Sequence, residues 1–337
     1  MAISTDAGRI FATSLHGLFI LPTSILFVIG LARARRHSDP ARCGLAWLRA
    51  VFVFAVAGAI LTVLSFALTL HLSSDTAPAD PTSRTPSTIA RLIRTYEAAL
   101  YISTVGSFLG LVSDILLLLT LVELGRGFVL VRRPSGAARL VRPVALAAAG
   151  VLGVLALVVF GLAVRYNRGL LAQASGEVYP TSKVLRDTLA VARLSGAVDV
   201  LLWVGSLGVL GWVVGGVVRG VGAGVRRSVS LVLAASIITS LRALGLMVLA
   251  AMSGFSVRRI TPEEVFIVRP VVDVVPLLIV LVLLFVVSIR KEGGLWSAAP
   301  AAGPAMGQTG WHDQSQEGGE YAPQAQGQAS SPEVKWS

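Results

Sequence analysis

Charge and cysteine are scarce in this chain. Charged residues make up 14% of 337, hydrophobic residues 54%, and the mean hydropathy is +0.76. A soluble domain carries about 25% charged residues, so the deficit points to a membrane protein rather than a large soluble core. Lysine is confined to Lys183, Lys291 and Lys335, which leaves the formal charge of +11 almost entirely to arginine. The arginines gather at the ends of apolar runs, where anionic lipid headgroups attract them. A membrane surface accounts for them, and no nucleic-acid partner is required.

Other absences narrow the chemistry. A single cysteine, Cys43, excludes an intrachain disulfide. Next to Arg42 and close to an apolar run, it reads equally as a palmitoylation target or a spectator thiol. Asn167 is the only asparagine, and Arg168-Gly169 after it makes no glycosylation sequon. His16 and His71 are the only histidines at or in the apolar runs. A membrane metalloenzyme needs several ligands converging at one depth, so zinc-hydrolase and two-haem readings fail. No Ser–His pair with a third orienting group is evident, and there is no P-loop for an ATP-driven pump. The last apolar run contains no Lys, which removes a retinal Schiff base of the microbial rhodopsin type. The expectation is a non-enzymatic protein with no cofactor and no metal.

What the chain does have is seven apolar runs near the ~20 residues that span a bilayer as helix. They fall at about 10–32, 48–71, 98–122, 143–164, 194–217, 229–252 and 265–289. The fold class expected is therefore all-α membrane, a seven-transmembrane-helix bundle over 1–291. The first run is too long for the h-region of a cleaved signal peptide. Residues 292–337, rich in Gly, Ala, Pro, Gln and Ser, read as a disordered cytosolic tail.

Arginine density alternates from loop to loop. One set holds Arg33, Arg35, Arg36 and Arg42, then Arg126, Arg132, Arg133, Arg139 and Arg142, then Arg219, Arg226 and Arg227, then Arg290 and Lys291. The other set mixes signs. The positive-inside rule then predicts the N-terminus outside and the C-terminus cytosolic. Pro86-Ser87-Thr88 and Pro180-Thr181-Ser182 predict that the third and fifth helices start ahead of their apolar runs. Thr261-Pro262-Glu263-Glu264 has the form of a capping box for the seventh.

Ionisable groups inside spans are costly, about 2.5–3.5 kcal/mol on insertion scales, and so are functional candidates. The chain offers His16, Asp114, Asp199, Arg242, Arg269 and Asp273. Counted from the outer boundary, Arg242 and Asp273 share a depth, with Asp199 and His16 nearer the outer mouth. Arg242 is expected within ion-pair distance of Asp273 or Asp199. Such a cluster reads either as an ion pair holding helices in register or as the lining of an outer-half ligand cavity. Asp114 counts as deeper, and reads as a bonded core carboxyl or as part of an ion or proton path.

The sequences around Asp114, Asp199 and Asp273 are alike (Val-Ser-Asp-Ile-Leu-Leu, Ala-Val-Asp-Val-Leu-Leu, Val-Val-Asp-Val-Val-Pro), a hint of internal repetition. Pro22 and Pro276 release the carbonyls of Leu18 and Val272 and mark kinks. Gly106 with Gly110, and Gly211 with Gly215, predict close helix packing. Glu123 and Arg126, at i and i+3, read as an interfacial ion pair or an inner switch pair.

Seven helices with the N-terminus outside are similar to the plan of G-protein-coupled receptors. The motifs depart from that family: Glu123 and Arg126 are not contiguous, Asp273-Val-Val-Pro276 replaces Asn-Pro, and the usual disulfide cannot form. The stretch Val112-Ser-Asp-Ile-Leu-Leu-Leu-Leu-Thr-Leu-Val-Glu-Leu-Gly-Arg-Gly-Phe128 resembles uncharacterised seven-helix integral membrane proteins of filamentous fungi. That resemblance covers one helix and implies a fold without an activity. Pro323-Gln324 lies in the tail, so the seven-helix sugar-transport family with Pro-Gln loops is not indicated.

The functional expectation is receptor-like sensing of a small or lipidic ligand through His16, Asp199, Arg242, Arg269 and Asp273, in a plasma membrane or endomembrane. Basic inner loops and the tail would meet cytosolic partners. The alternatives are a transporter or channel with a polar path through Asp114, and a structural scaffold.

Overall fold

A computed structural model describes residues 5–34, 43–76, 86–130, 136–175, 180–218, 226–255 and 262–289. They form seven α-helices: α1 (Thr5–Ala34), α2 (Cys43–Thr76), α3 (Pro86–Leu130), α4 (Gly136–Ala174), α5 (Thr181–Val218), α6 (Arg226–Phe255) and α7 (Pro262–Ile289). No strand occurs among the described residues. Each helix contains a stretch long and apolar enough to cross a bilayer, compatible with a polytopic membrane protein. The helices outrun the apolar runs, most of all α3, which starts at Pro86, and α4, which reaches Ala174; α5 too starts early, its first turn closed by Lys183 N–H donating to the Pro180 carbonyl at 2.9 Å. The basic stretch at 132–133, Cys43's side chain, Thr261 with the side chains of its capping box, and the tail lie outside the described residues.

Side-chain contacts fix the direction of the helices. Gly44 packs on Leu124, and Ser113 Oγ donates to the Val51 carbonyl at 3.4 Å. Gly58 meets Gly106 and Gly110, and Ser65 Oγ donates to the Ala99 carbonyl at 3.0 Å. Numbers rise along α2 as they fall along α3, so the two are antiparallel. A Cβ on Gly58 would lie 3.2 Å from the Gly106 carbonyl oxygen, so any larger residue would push the two backbones apart by a few tenths of an ångström. Gly125 against Trp212 and Gly205 against Leu118 make α3 and α5 parallel.

Helix α3 occupies the middle of the bundle, packed on α2, α4, α5 and α6, while α1 rests on α2 and α7. Below, the leading side means the end at which α1, α3, α5 and α7 begin. Toward the opposite side, Val51, Leu117, Leu121, Val232, Val280, Leu281, Leu284 and Val287 form a dry core, each at most 1% exposed. The outward faces are apolar as well: Leu18, Leu21 and Val28 on α1 and Leu140, Val144 and Val154 on α4 are all more than 60% exposed. Apolar faces turned outward fit hydrocarbon as the surrounding solvent.

One packing expectation is corrected. Gly211 and Gly215 have open space where a Cβ would stand, so among the described residues no helix packs closely on them. Glycine contacts between helices occur instead at Gly58 with Gly106, Gly44 with Leu124 and Gly125 with Trp212.

Candidate functional site

Arg242, on α6, is 7% exposed and is the hinge pin of the site. Its Nη1 donates to Asp114 Oδ1 at 2.7 Å and its Nη2 to Asp114 Oδ2 at 3.3 Å, a bidentate pair with α3. Its Nε donates to Asp273 Oδ1 and to the Asp273 backbone carbonyl, each at 3.0 Å, and Nη2 also donates to Asp273 Oδ1. One guanidinium thus joins α3, α6 and α7. The planar fork of arginine suits two carboxylates in this way, where a lysine point charge would not.

The local sequence of α7 prepares its half of the clamp. Pro276 has no N–H to give to the Val272 carbonyl, and its ring crowds that turn. The next carbonyl, that of Asp273, is the one that takes the Arg242 Nε–H. Gly245, one turn along α6 from Arg242, admits Val272: a Cβ there would stand 2.5 Å from Val272 Cγ1. α6 and α7 are therefore pressed together beside the clamp.

Asp199, on α5, is half-buried and faces the same region. It lines a cavity together with Asp114, Arg242, Ser206 and Thr239, walled by leucines of α3, α5 and α6. The space in which a water centre can move is about 20 Å³. A cavity of that measure holds one or two waters, well short of an organic ligand. Among the described residues no hydrogen bond or ion pair reaches Asp199.

Asp114 is the chief correction to the sequence reading. It does not lie deeper along a separate path; it shares Arg242 with Asp273 at one level. Arg242 pairs with Asp273, and Asp199 lines the cavity without bonding to Arg242. His16 stands apart: its ring Nδ1 donates to the Ala12 carbonyl of its own helix at 2.8 Å, and its edge meets Phe66 with ring centroids 6.2 Å apart. Arg269 is exposed and reaches Asp199 and Asp273 only through space. Ser206 and Thr239 are additions. Their signal was available in the numbering, since Thr239 precedes Arg242 by three and Ser206 follows Asp199 by seven, each on a shared helix face.

Three further ion pairs flank the site along the bundle. Glu123, with its side chain 5% exposed, accepts from Arg126 Nη1 at 2.9 Å and pairs with Arg142 Nε of α4 at 3.2 Å. The predicted Glu123–Arg126 pair is thus one arm of a trio that ties α3 to α4. On the leading side, Arg165 Nε of α4 donates to Asp187 Oδ2 of α5 at 3.1 Å. Asn167 Nδ2 donates to Thr104 Oγ1 of α3 at 2.7 Å. No three His, Cys, Asp or Glu side chains among the described residues come close enough to hold a metal ion.

The fold and the clamp define a bundle of seven α-helices, each long and apolar enough to cross a membrane, in which the buried Arg242 links Asp114 of α3 to Asp273 of α7. No protein-family model, curated protein or solved structure matches the chain.

Proposed function

We propose that this is a non-enzymatic integral membrane protein of receptor-like plan, with the N-terminus outside, the C-terminus cytosolic, and the Arg242 clamp as its two-state element. A small or lipidic ligand acting from the leading side would alter the clamp and so the relation of α6 and α7 to α3. Basic inner loops and the tail would pass this to cytosolic partners, in a plasma membrane or endomembrane.

The observation that carries the proposal is the division of the bundle. The polar cluster lies near mid-helix on α5, α6 and α7, and on the side away from the leading end Leu121, Leu281 and Leu284 are fully buried, with Thr120 and Ser236 among them turned to their own backbone carbonyls. A receptor needs a pocket in one half only, whereas a carrier needs polar groups through the full thickness.

The test uses the full chain in nanodiscs with spin labels at the exposed Val105 of α3 and Val248 of α6, screened against a panel of small and lipidic ligands. The expected result is a ligand-dependent change in the label distance that Arg242→Met abolishes. Substrate uptake in proteoliposomes, lost in Asp114→Asn, would overturn this reading in favour of a transporter or channel through Asp114. That second reading draws on the position of Asp114, which borders the cavity while also holding Arg242. No response in either assay leaves a structural scaffold.

A further inference from the structure

The cavity beside the clamp offers acceptors almost alone. Ser206 Oγ donates its one proton to the Trp203 carbonyl at 2.7 Å, and Thr239 Oγ1 donates its own to the Ala235 carbonyl at 2.8 Å. A hydroxyl has a single donor, so both present lone pairs to the cavity. The Nε–H of Arg242, one Nη1–H and both Nη2–H groups are directed at Asp114 and Asp273. The remaining polar walls are the carboxylates of Asp114 and Asp199.

Asp114, Asp199 and Asp273 gather around Arg242, while the exposed Arg269 acts on Asp199 and Asp273, and His16 on Asp273, only through space.

We infer that this cavity binds one monovalent cation of the size of Na⁺, K⁺ or ammonium, held by the Asp114 and Asp199 carboxylates and the Ser206 and Thr239 hydroxyl oxygens. Two carboxylates with hydroxyl and water oxygens form a hard-oxygen ligand set. The absence of a third carboxylate on the cavity favours a monovalent over a divalent ion. A space for one or two waters admits these ions and excludes larger organic ammonium groups. The site stands whether the bundle signals or carries, since it rests on the cavity alone.

The experiment is thermal unfolding of the purified full chain, followed by tryptophan fluorescence, in chloride salts of Na⁺, K⁺, ammonium or N-methyl-D-glucamine. Total ionic strength is held constant, which removes general screening. At least one of the three small cations should raise the midpoint saturably, and N-methyl-D-glucamine should not. Which of them acts separates an alkali ion from ammonium. In Asp199→Asn the apparent affinity should fall at least about tenfold, a loss of roughly 1.4 kcal/mol, while Glu97→Gln at the exposed start of α3 leaves it unchanged. Thr239→Val gives the same decision if Asp199→Asn does not fold. Equal stabilisation by all four cations, or parent affinity retained in the decisive variant, overturns the site.

Discussion

Arg242 Nη1 stands 2.7 Å from Asp114 Oδ1, and that single contact brings the central helix α3 and the penultimate helix α6 into one electrostatic unit. Because Asp273 shares the same guanidinium, removing the cation leaves two carboxylates confined together. Arg242→Met is expected to destabilise the fold by about 3–5 kcal/mol, the cost of breaking a buried pair. Asp114→Asn, which keeps an acceptor for Nη1, should cost about 1–3 kcal/mol. Replacing all three by apolar residues of similar size should recover most of the stability while abolishing any ligand response. Reversible unfolding in mixed detergent measures all three. Equal stability of Arg242→Met and the parent would mean the clamp carries no energetic weight.

Gly245 makes a separate prediction about packing beside the clamp. Alanine normally gains about 0.5–1 kcal/mol over glycine within a helix, but here its methyl would meet Val272 Cγ1 at 2.5 Å. Overpacking costs about 1–3 kcal/mol, so Gly245→Ala should destabilise. Val272→Ala introduced alongside should relieve most of the loss, giving a favourable coupling in a double-mutant cycle. Additive effects of the two changes would show that α6 and α7 are not in contact at this point.

The Glu123 trio yields an order of effects. Arg142 is 49% exposed, and its arm should contribute less than about 1 kcal/mol after solvent screening. Arg126, at 17%, should matter more, and Glu123 itself most, since losing its charge leaves both arginines without the acceptor they share. Unfolding midpoints of Arg142→Gln, Arg126→Gln and Glu123→Gln should therefore fall in that order. A dominant effect from Arg142→Gln would reverse this picture of the α3–α4 contact.

The proposed orientation is open to labelling. In a Cys43→Ser background, cysteines at Ser74 and Ser175, which close α2 and α4, should react with an impermeant maleimide on intact cells or right-side-out vesicles. Leu140→Cys, near the start of α4, should react only after permeabilisation. The opposite pattern would place the N-terminus in the cytosol.

The helices themselves were legible in the sequence because apolar length is a local property, readable without knowing a neighbour. Their ends were less so: α4 continues to Ala174, ten residues past the apolar run, carrying Arg165 and Asn167 to partners on α5 and α3. The Arg242–Asp273 contact could be read from equal depth in two spans of ordinary length. Asp114 escapes the same method, because α3 runs unbroken from Pro86 to Leu130 with no boundary at residue 98, and its level is set by the contact with Arg242. In so long a helix the residue count from an apparent boundary does not give height in the bundle. The hydroxyls of Ser206 and Thr239 were passed over since a lone Ser or Thr in a membrane helix usually bonds its own backbone. These two do so, and the cavity they also face depends on three helices meeting.

The clamp also sets a constraint on how the chain is made. Asp114 leaves the ribosome 128 residues ahead of Arg242. At about 5–20 residues per second that is roughly 6 to 25 seconds, during which α3 must wait with an unmatched acid. In a nascent protein of this design the acid of α3 is therefore matched only once the sixth segment arrives, and a chain stalled before then would present an unfinished acidic helix to membrane quality control.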